Sequence, residues 1–214
     1  DIQRSRGLGD VYKRQDVGPL LPGCEHIPPP TRGKCHFNCQ DEQHEGCLNY
    51  LKYVIEMEGD IGALIAEPMR WTSVKLPPKN YWRRVRDICD EHGILLIFDE
   101  IPSAIGRTGE MFVCEHFDVV PDMLVIGKGL GGGIFPMAAL LVREDLDVTG
   151  DRALGHYTHE KSSVGCAAAL ATIDCLFEDR LIENARALGP RGLERLREIK
   201  AKYPLVHDIR GLGL

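Results

Sequence analysis

The chain has 214 residues, of which 43% are hydrophobic and 27% charged, with a net charge of −6. This is the make-up of a globular domain with a full core. The acidic balance, without any basic patch interleaved with aromatics, argues against nucleic acid as a partner, and no apolar run approaches the roughly 20 residues that span a bilayer.

The first residues read unlike protein. Ser5–Gln15, SRGLGDVYKRQ, resembles a translated sequencing adapter, so residues 1–15 are set aside from fold reasoning. Asp16–Lys34 is rich in Pro and Gly and reads as a loop. Apolar residues at Cys47, Leu51, Val54, Ile55 and Met57 have helical spacing. Ile61–Pro68, IGALIAEP, suits a short buried parallel strand. After Pro77 and Pro78 comes a helix with an apolar stripe of Trp82, Val85, Ile88 and Cys89, stopped by Gly93. Ile94–Glu100, Asp122–Lys128 and Met137–Val142 read as three further strands. Helices follow over about 163–177 and 181–202. Val206–Leu214 reads as a strand entering a glycine turn. Both ends suggest a gene fragment. No signal-peptide pattern opens the chain, so a cytoplasmic location is expected. Eight cysteines, set mostly in apolar patterns as Cys89, Cys166 and Cys175 are, read as buried thiols of a reducing compartment.

Strands alternating with helices imply an α/β domain with a mostly parallel sheet. Ligands bind such sheets at the C-terminal ends of the strands. The polar residues ending these strands are Glu67, Asp99, Glu100 and Lys128. Asp99 follows five apolar residues, so its carboxylate is desolvated unless it meets a cation. Lys128 closes another apolar strand and precedes GLGGG, Gly129–Gly133. A lysine in a confined site loses its proton readily and serves as nucleophile or base, and the glycines permit close backbone approach beside it. A structural ion pair is the plainer alternative for this acid and lysine.

The segment FDEIPSAIGRTG (Phe98–Gly109), followed 29 residues after Asp99 by Lys128 in LVIGKGLGGGIFP (Leu124–Pro136), resembles the class III, fold-type I pyridoxal-phosphate aminotransferases. AEP (Ala66–Pro68), THEKSSVGCAAALA (Thr158–Ala171) and DIRGLGL (Asp208–Leu214) match in order and spacing. The resemblance implies that residues 16–203 are part of the cofactor-binding large domain and 204–214 the start of the small domain. It implies that Lys128 forms the Schiff base and shuttles a proton. Asp99 would bind the pyridinium nitrogen and keep it protonated. Ile101 would pack on one ring face, and Thr158 would reach the cofactor phosphate of the neighbouring subunit in a homodimer. Glu67 and Arg107 match motif positions and are expected to support the site from behind. The reaction implied moves an amino group from an amine or amino acid to a 2-oxo acid. Ammonia- or phospho-lyases acting on small amino-phosphonates or phospho-amines share the scaffold and are the alternative.

Three departures bear on the reaction. Pro102 stands where many relatives carry a Gln that contacts the cofactor's phenolic oxygen. Met69–Pro78, MRWTSVKLPP, replaces a glycine-rich stretch bearing a second acid. His159–Ser163, HEKSS, replaces the glycine- and proline-containing turn after the phosphate-binding Thr. Lys161 and His159 would suit an anionic group such as a phosphonate, although a solvated surface pair is the plainer reading. No metal site is expected: the cysteine-rich stretch Cys35–Cys47 has ligands enough, but C-x3-C with scattered His is not a well-formed zinc spacing. A second rival is a scaffold of the same fold that has lost its chemistry. The family's N-terminal phosphate cup and C-terminal domain are absent from the chain, so the 214-residue piece is expected to have little activity alone.

Overall fold

The computed structural model describes residues 22–30, 37, 39, 45–152, 157–158 and 160–214. Residues 1–15, most of the cysteine-rich stretch and His159 lie outside them. Two compact units divide at Ile61 and Gly62. In the first, helix α1 (Glu45–Glu58) buries Cys47, Leu48, Leu51 and Ile55, one stripe at helical spacing. Within this unit the Phe37 ring stands 5.0 Å from Tyr50.

The second unit is an α/β layer. Four strands, β1 (Ala63–Ala66), β2 (Leu95–Asp99), β3 (Met123–Ile126) and β4 (Ala139–Val142), lie side by side in chain order. β1, β2 and β3 are parallel, with Phe98 opposite both Ala66 and Leu124. β4 runs antiparallel to β3, with Val142 opposite Met123 and Ala139 opposite Ile126. The sheet is therefore mostly parallel, as expected. Leu96 and Phe98 are fully buried, which explains the continuous apolar reading of β2. β1 and β4 are edges of this sheet rather than buried strands: Ile65, Leu140, Leu141 and Val142 are exposed.

Helix α2 (Tyr81–His92) follows the two prolines and buries Tyr81, Trp82, Val85, Ile88 and Cys89. Gly93 ends it at φ 67°, its amide donating to Asp90 and Cys89 carbonyls, the left-handed C-terminal stop that glycine permits. Trp82 packs edge-on to Phe98, ring centroids 5.0 Å apart, and donates Nε1–H to the Pro68 carbonyl at 2.9 Å. One side chain thus fastens α2 to β2 and fixes the chain just beyond β1.

Helices α3 (Ser163–Glu178) and α4 (Leu181–Lys202) complete the unit. Ser162 caps α3 by accepting the Gly165 amide, which satisfies one of the orphan first-turn donors. Only Gly165, Ala169 and Leu176 of α3 are buried. Cys166 and Cys175 accordingly lie exposed, contrary to the expectation that they sit inside; the apolar pattern of α3 is wider than the face it buries. Residues 206–214, expected to open as a strand, join no sheet. Gly213 instead fits against Arg107 and Thr108, where a side chain would overlap the Arg107 carbonyl, and the Leu214 amide donates to that carbonyl at 3.0 Å.

Candidate active site

The parallel strands deliver their C-terminal ends to one edge of the sheet. β2 ends on Asp99, which is fully buried, its Oδ1 accepting the Ile101 amide at 3.2 Å. β3 ends at Ile126, two residues before Lys128, and Asp99 lies opposite Val125. Lys128 is thus three residues beyond the partner of Asp99. Extended-chain and inter-strand spacings put the two Cα atoms within roughly 12 Å of each other.

Lys128 does not continue the strand. It opens a 3-10 turn, Lys128–Gly131, with φ 47°, a left-handed conformation that a residue with a Cβ adopts only at a cost. The turn is held by Leu130 N–H to the Gly127 carbonyl at 3.1 Å and Gly132 N–H to the Gly129 carbonyl at 2.9 Å. The lysine side chain is exposed while Leu130 and Gly131 are buried. The glycines around it face neighbours at contact distance: a methyl group at Gly127 would lie 3.4 Å from Ile101 Cγ2, and one at Gly129 3.8 Å from Ile105 Cβ. The loop after Asp99 and the turn at Lys128 therefore interlock, with half-buried Ile101 between the two functional ends.

That loop is braced from behind. The Ser103 and Ala104 amides both donate to the Glu100 carbonyl, and Ile105 N–H donates to the Met111 carbonyl at 2.8 Å. α4 clamps the far end through Arg186, whose Nε donates to the Gly109 carbonyl at 2.9 Å and whose guanidinium pairs with Glu110 at 2.8 Å. α3 lies against the 135–137 segment so closely that a methyl at Gly165 would meet Met137 Sδ and Phe135 Cε1 at 2.9 Å.

The sequence-derived candidates divide. Asp99, Ile101 and Lys128 come together. Glu67 stands at the end of β1 and accepts the Trp71 amide at 3.0 Å. Arg107 is exposed, and its described tie is its carbonyl, which holds Leu214. Thr158 is exposed on the stretch before α3, as is Lys161. Glu100, the fourth strand-end acid, turns away: its carboxylate accepts the Val113 and Cys114 amides at 2.6 and 2.8 Å. Burial pushes this carboxyl up to about 7, against the downward pull of those amides. Trp71, not singled out from the sequence, stands in the site with its ring 5.6 Å from Lys128 Nζ. A lone tryptophan in the stretch that replaces the glycine-rich segment was the signal available.

A buried acid and an exposed lysine thus stand at adjoining strand ends, with an apolar side chain and glycine turns between them. The chain belongs to the class III aminotransferases, whose family model matches residues 9–214. It is 44% identical to an (R)-1-hydroxy-2-aminoethylphosphonate ammonia-lyase of Vibrio splendidus (strain 12B01), over 96% of this chain and 46% of that relative. Among solved structures it is similar to an amine transaminase from an uncultivated Pseudomonas species in its PLP-bound form. That likeness has 33% identity and a TM-score of 0.92, over all of this chain and 51% of the other. A thermostable (S)-enantioselective omega-transaminase from Thermomicrobium roseum matches at 32% identity and TM-score 0.88, over 96% and 48% of the two chains. The chain thus spans about half the length of the proteins it resembles. Among the described residues, no helix is long and apolar enough to cross a membrane, and no group of three or more His, Cys, Asp or Glu residues is placed to hold a metal ion.

Proposed function

We propose that the complete protein is a pyridoxal-phosphate enzyme that releases ammonia from a small amine bearing an anionic phosphonate or phosphate group, with Lys128 as its Schiff-base lysine. The observation that carries the cofactor assignment is the pairing of a fully buried Asp99 with an exposed Lys128 at adjoining strand ends. The donor set fits the cofactor: an amine for its aldehyde, a carboxylate for its ring nitrogen, and Ile101 for a ring face. When bound, pyridoxal phosphate supplies an electron sink for bond breaking beside the amine nitrogen.

The chain's own residues divide the remaining work. Asp99 keeps a proton on the ring nitrogen, its carboxylate oriented by the Ile101 amide. Lys128 holds the cofactor and moves the substrate proton. Ile101 excludes water from one ring face. Thr158 contributes to the phosphate site of the neighbouring subunit in a homodimer, and Glu67 and Arg107 support the loops. Elimination is favoured over transfer by the likeness to the Vibrio ammonia-lyase and by the stretch Met69–Pro78, which holds no acid where many relatives carry a second one for handling two substrates. Transamination to a 2-oxo acid is the second reading, supported by the transaminase structures that the chain resembles.

The test is made on the complete protein. Borohydride reduction with pyridoxal phosphate, followed by peptide mapping, is expected to fix the cofactor on Lys128. Incubation with 1-hydroxy-2-aminoethylphosphonate is expected to yield ammonia without any amino acceptor. Turnover that requires a 2-oxo acid selects the transaminase reading, and a label on another lysine removes the cofactor assignment.

A further inference from the structure

Trp71 sits on a short loop that the structure holds closed. Arg70 and Lys75 exchange both backbone hydrogen bonds, at 3.0 and 3.3 Å, and the Val74 amide reaches the Trp71 carbonyl at 3.4 Å. Val74 completes the turn at φ 45°. One flank is fixed by Glu67 Oε2 on the Trp71 amide and by Trp82 on the Pro68 carbonyl. On the other flank, the Ser73 carbonyl accepts Arg210 Nε at 3.3 Å. The result is a braced turn that leaves Trp71 41% exposed, with the ammonium of Lys128 5.6 Å from its ring centroid. That separation is within the range over which an indole face attracts a cation, and Trp is the strongest of the aromatic partners.

We propose that Trp71 is a positioning residue for Lys128: its indole face holds the ε-ammonium at the mouth of the strand-end site instead of letting it range through solvent, and the nitrogen leaves that face when it gives up a proton to water and becomes the amine that can meet a carbonyl. The proposal rests on the reading of Lys128 as the cofactor lysine. Lysine carries about 2 kcal/mol of rotamer entropy, and a fixed aromatic face narrows the volume its amine samples. The Glu67 carboxylate acts at one remove, by holding the turn that carries the ring.

Two measurements on the complete protein test this. The first needs no cofactor. Lysines are reductively methylated with carbon-13 formaldehyde, which preserves their charge, and the Lys128 signal is assigned by its loss in Lys128→Arg. The expected result is an upfield ring-current shift of that signal, abolished in Trp71→Leu and partly kept in Trp71→Phe. The second measures the rate at which borohydride traps pyridoxal phosphate on Lys128. Trp71→Leu is expected to trap about three- to fivefold faster, because its Lys128 gives up a proton without leaving an indole face, and Trp71→Phe close to the wild-type rate.

A Lys128 signal at the ordinary lysine position in the wild type overturns the proposal without recourse to any variant. So do equal trapping rates in wild type and a folded Trp71→Leu. Wild-type protein that traps the cofactor on another lysine overturns the cofactor reading, and the role of Trp71 with it. Normal trapping on Lys128 without a ring-current shift removes Trp71 alone.

Discussion

Two buried aspartates mark opposite ends of the same sheet. Asp122, just before β3, is held by the protein's own donors. The Leu96 amide and Arg86 reach its Oδ2, each at 2.7 Å, and Arg143 reaches Oδ1. These bonds tie α2, β2, β3 and the end of β4 together. Burial alone would raise the Asp122 carboxyl, but the Leu96 amide and the guanidinium groups overcome it and hold it below its ordinary range. Asp99, at the other end, accepts the Ile101 amide beside a turn in which Lys128 is forced to a positive φ. One end of the sheet is electrostatically closed and serves the fold; the other carries strain and exposed chemistry, the pattern of functional sites.

The sharpest way to break this contrast is a pair of isosteric substitutions, measured in the complete protein by denaturant unfolding. Asp122→Asn removes the buried carboxylate that joins Arg86, whose side chain is only 16% exposed, to Arg143, leaving Asp90 as the remaining carboxylate on Arg86, and is expected to cost about 3 kcal/mol, because an amide cannot accept from both guanidinium groups and the Leu96 amide. Asp99→Asn keeps a carbonyl for the Ile101 amide and is expected to stay within about 1 kcal/mol of wild type. Equal losses of stability would show that both ends serve the fold alike.

A second test concerns pH. The Glu100 carboxyl has an ordinary value of 4.5 and is raised to about 7 in the fold. Between these values the folded protein keeps a proton that the unfolded chain has released. The contribution is therefore fully present below 4.5 and is lost as pH rises through 7, by up to roughly 3 kcal/mol. Asp122 works in the opposite sense: its lowered carboxyl contributes stability above its ordinary 3.8 that acid removes. Glu100→Gln should flatten the slope of unfolding free energy between about pH 4.5 and 7 and leave the acid limb in place. An unchanged slope would mean that the buried Glu100 is not its source.

The contrast also separates what the sequence tells from what it hides. The four helices and four strands of the described residues were legible, because periodicity, the Pro77–Pro78 start and the Gly93 stop are local signals. The placement of Asp99 and Lys128 at neighbouring strand ends was legible because each charge closes an apolar run. The antiparallel sense of β4 was not, since MAALLV reads the same in either direction. Nor was the different fate of adjacent acids: the partners of Glu100 are amides 13 and 14 residues away, which only tertiary packing brings together. Trp71 was hidden because its role depends on a turn closed from three sides. The tail at 206–214 misled because Gly213 serves close approach to residues 107–108 and Gly211 to Leu193 rather than a turn between strands.

Lys128 offers the smallest and most discriminating test. Its positive φ is imposed by the turn that starts immediately after β3, and a residue with a Cβ sustains that conformation at about 1–2 kcal/mol. Glycine at the same position escapes the penalty but loses about 0.5–1 kcal/mol through the greater freedom of its unfolded chain. Lys128→Ala and Lys128→Gly both remove the amine and should both be inactive. In the cofactor-free state, where ligand binding does not shift the equilibrium, Lys128→Gly should nonetheless be the more stable of the two, by roughly 0.5–1 kcal/mol. Equal midpoints and slopes in urea would place no strain at this residue. A more stable glycine variant would mean that the turn holds its lysine where the backbone is not at ease, whereas Asp122, at the other end of the sheet, is held by bonds that serve the fold.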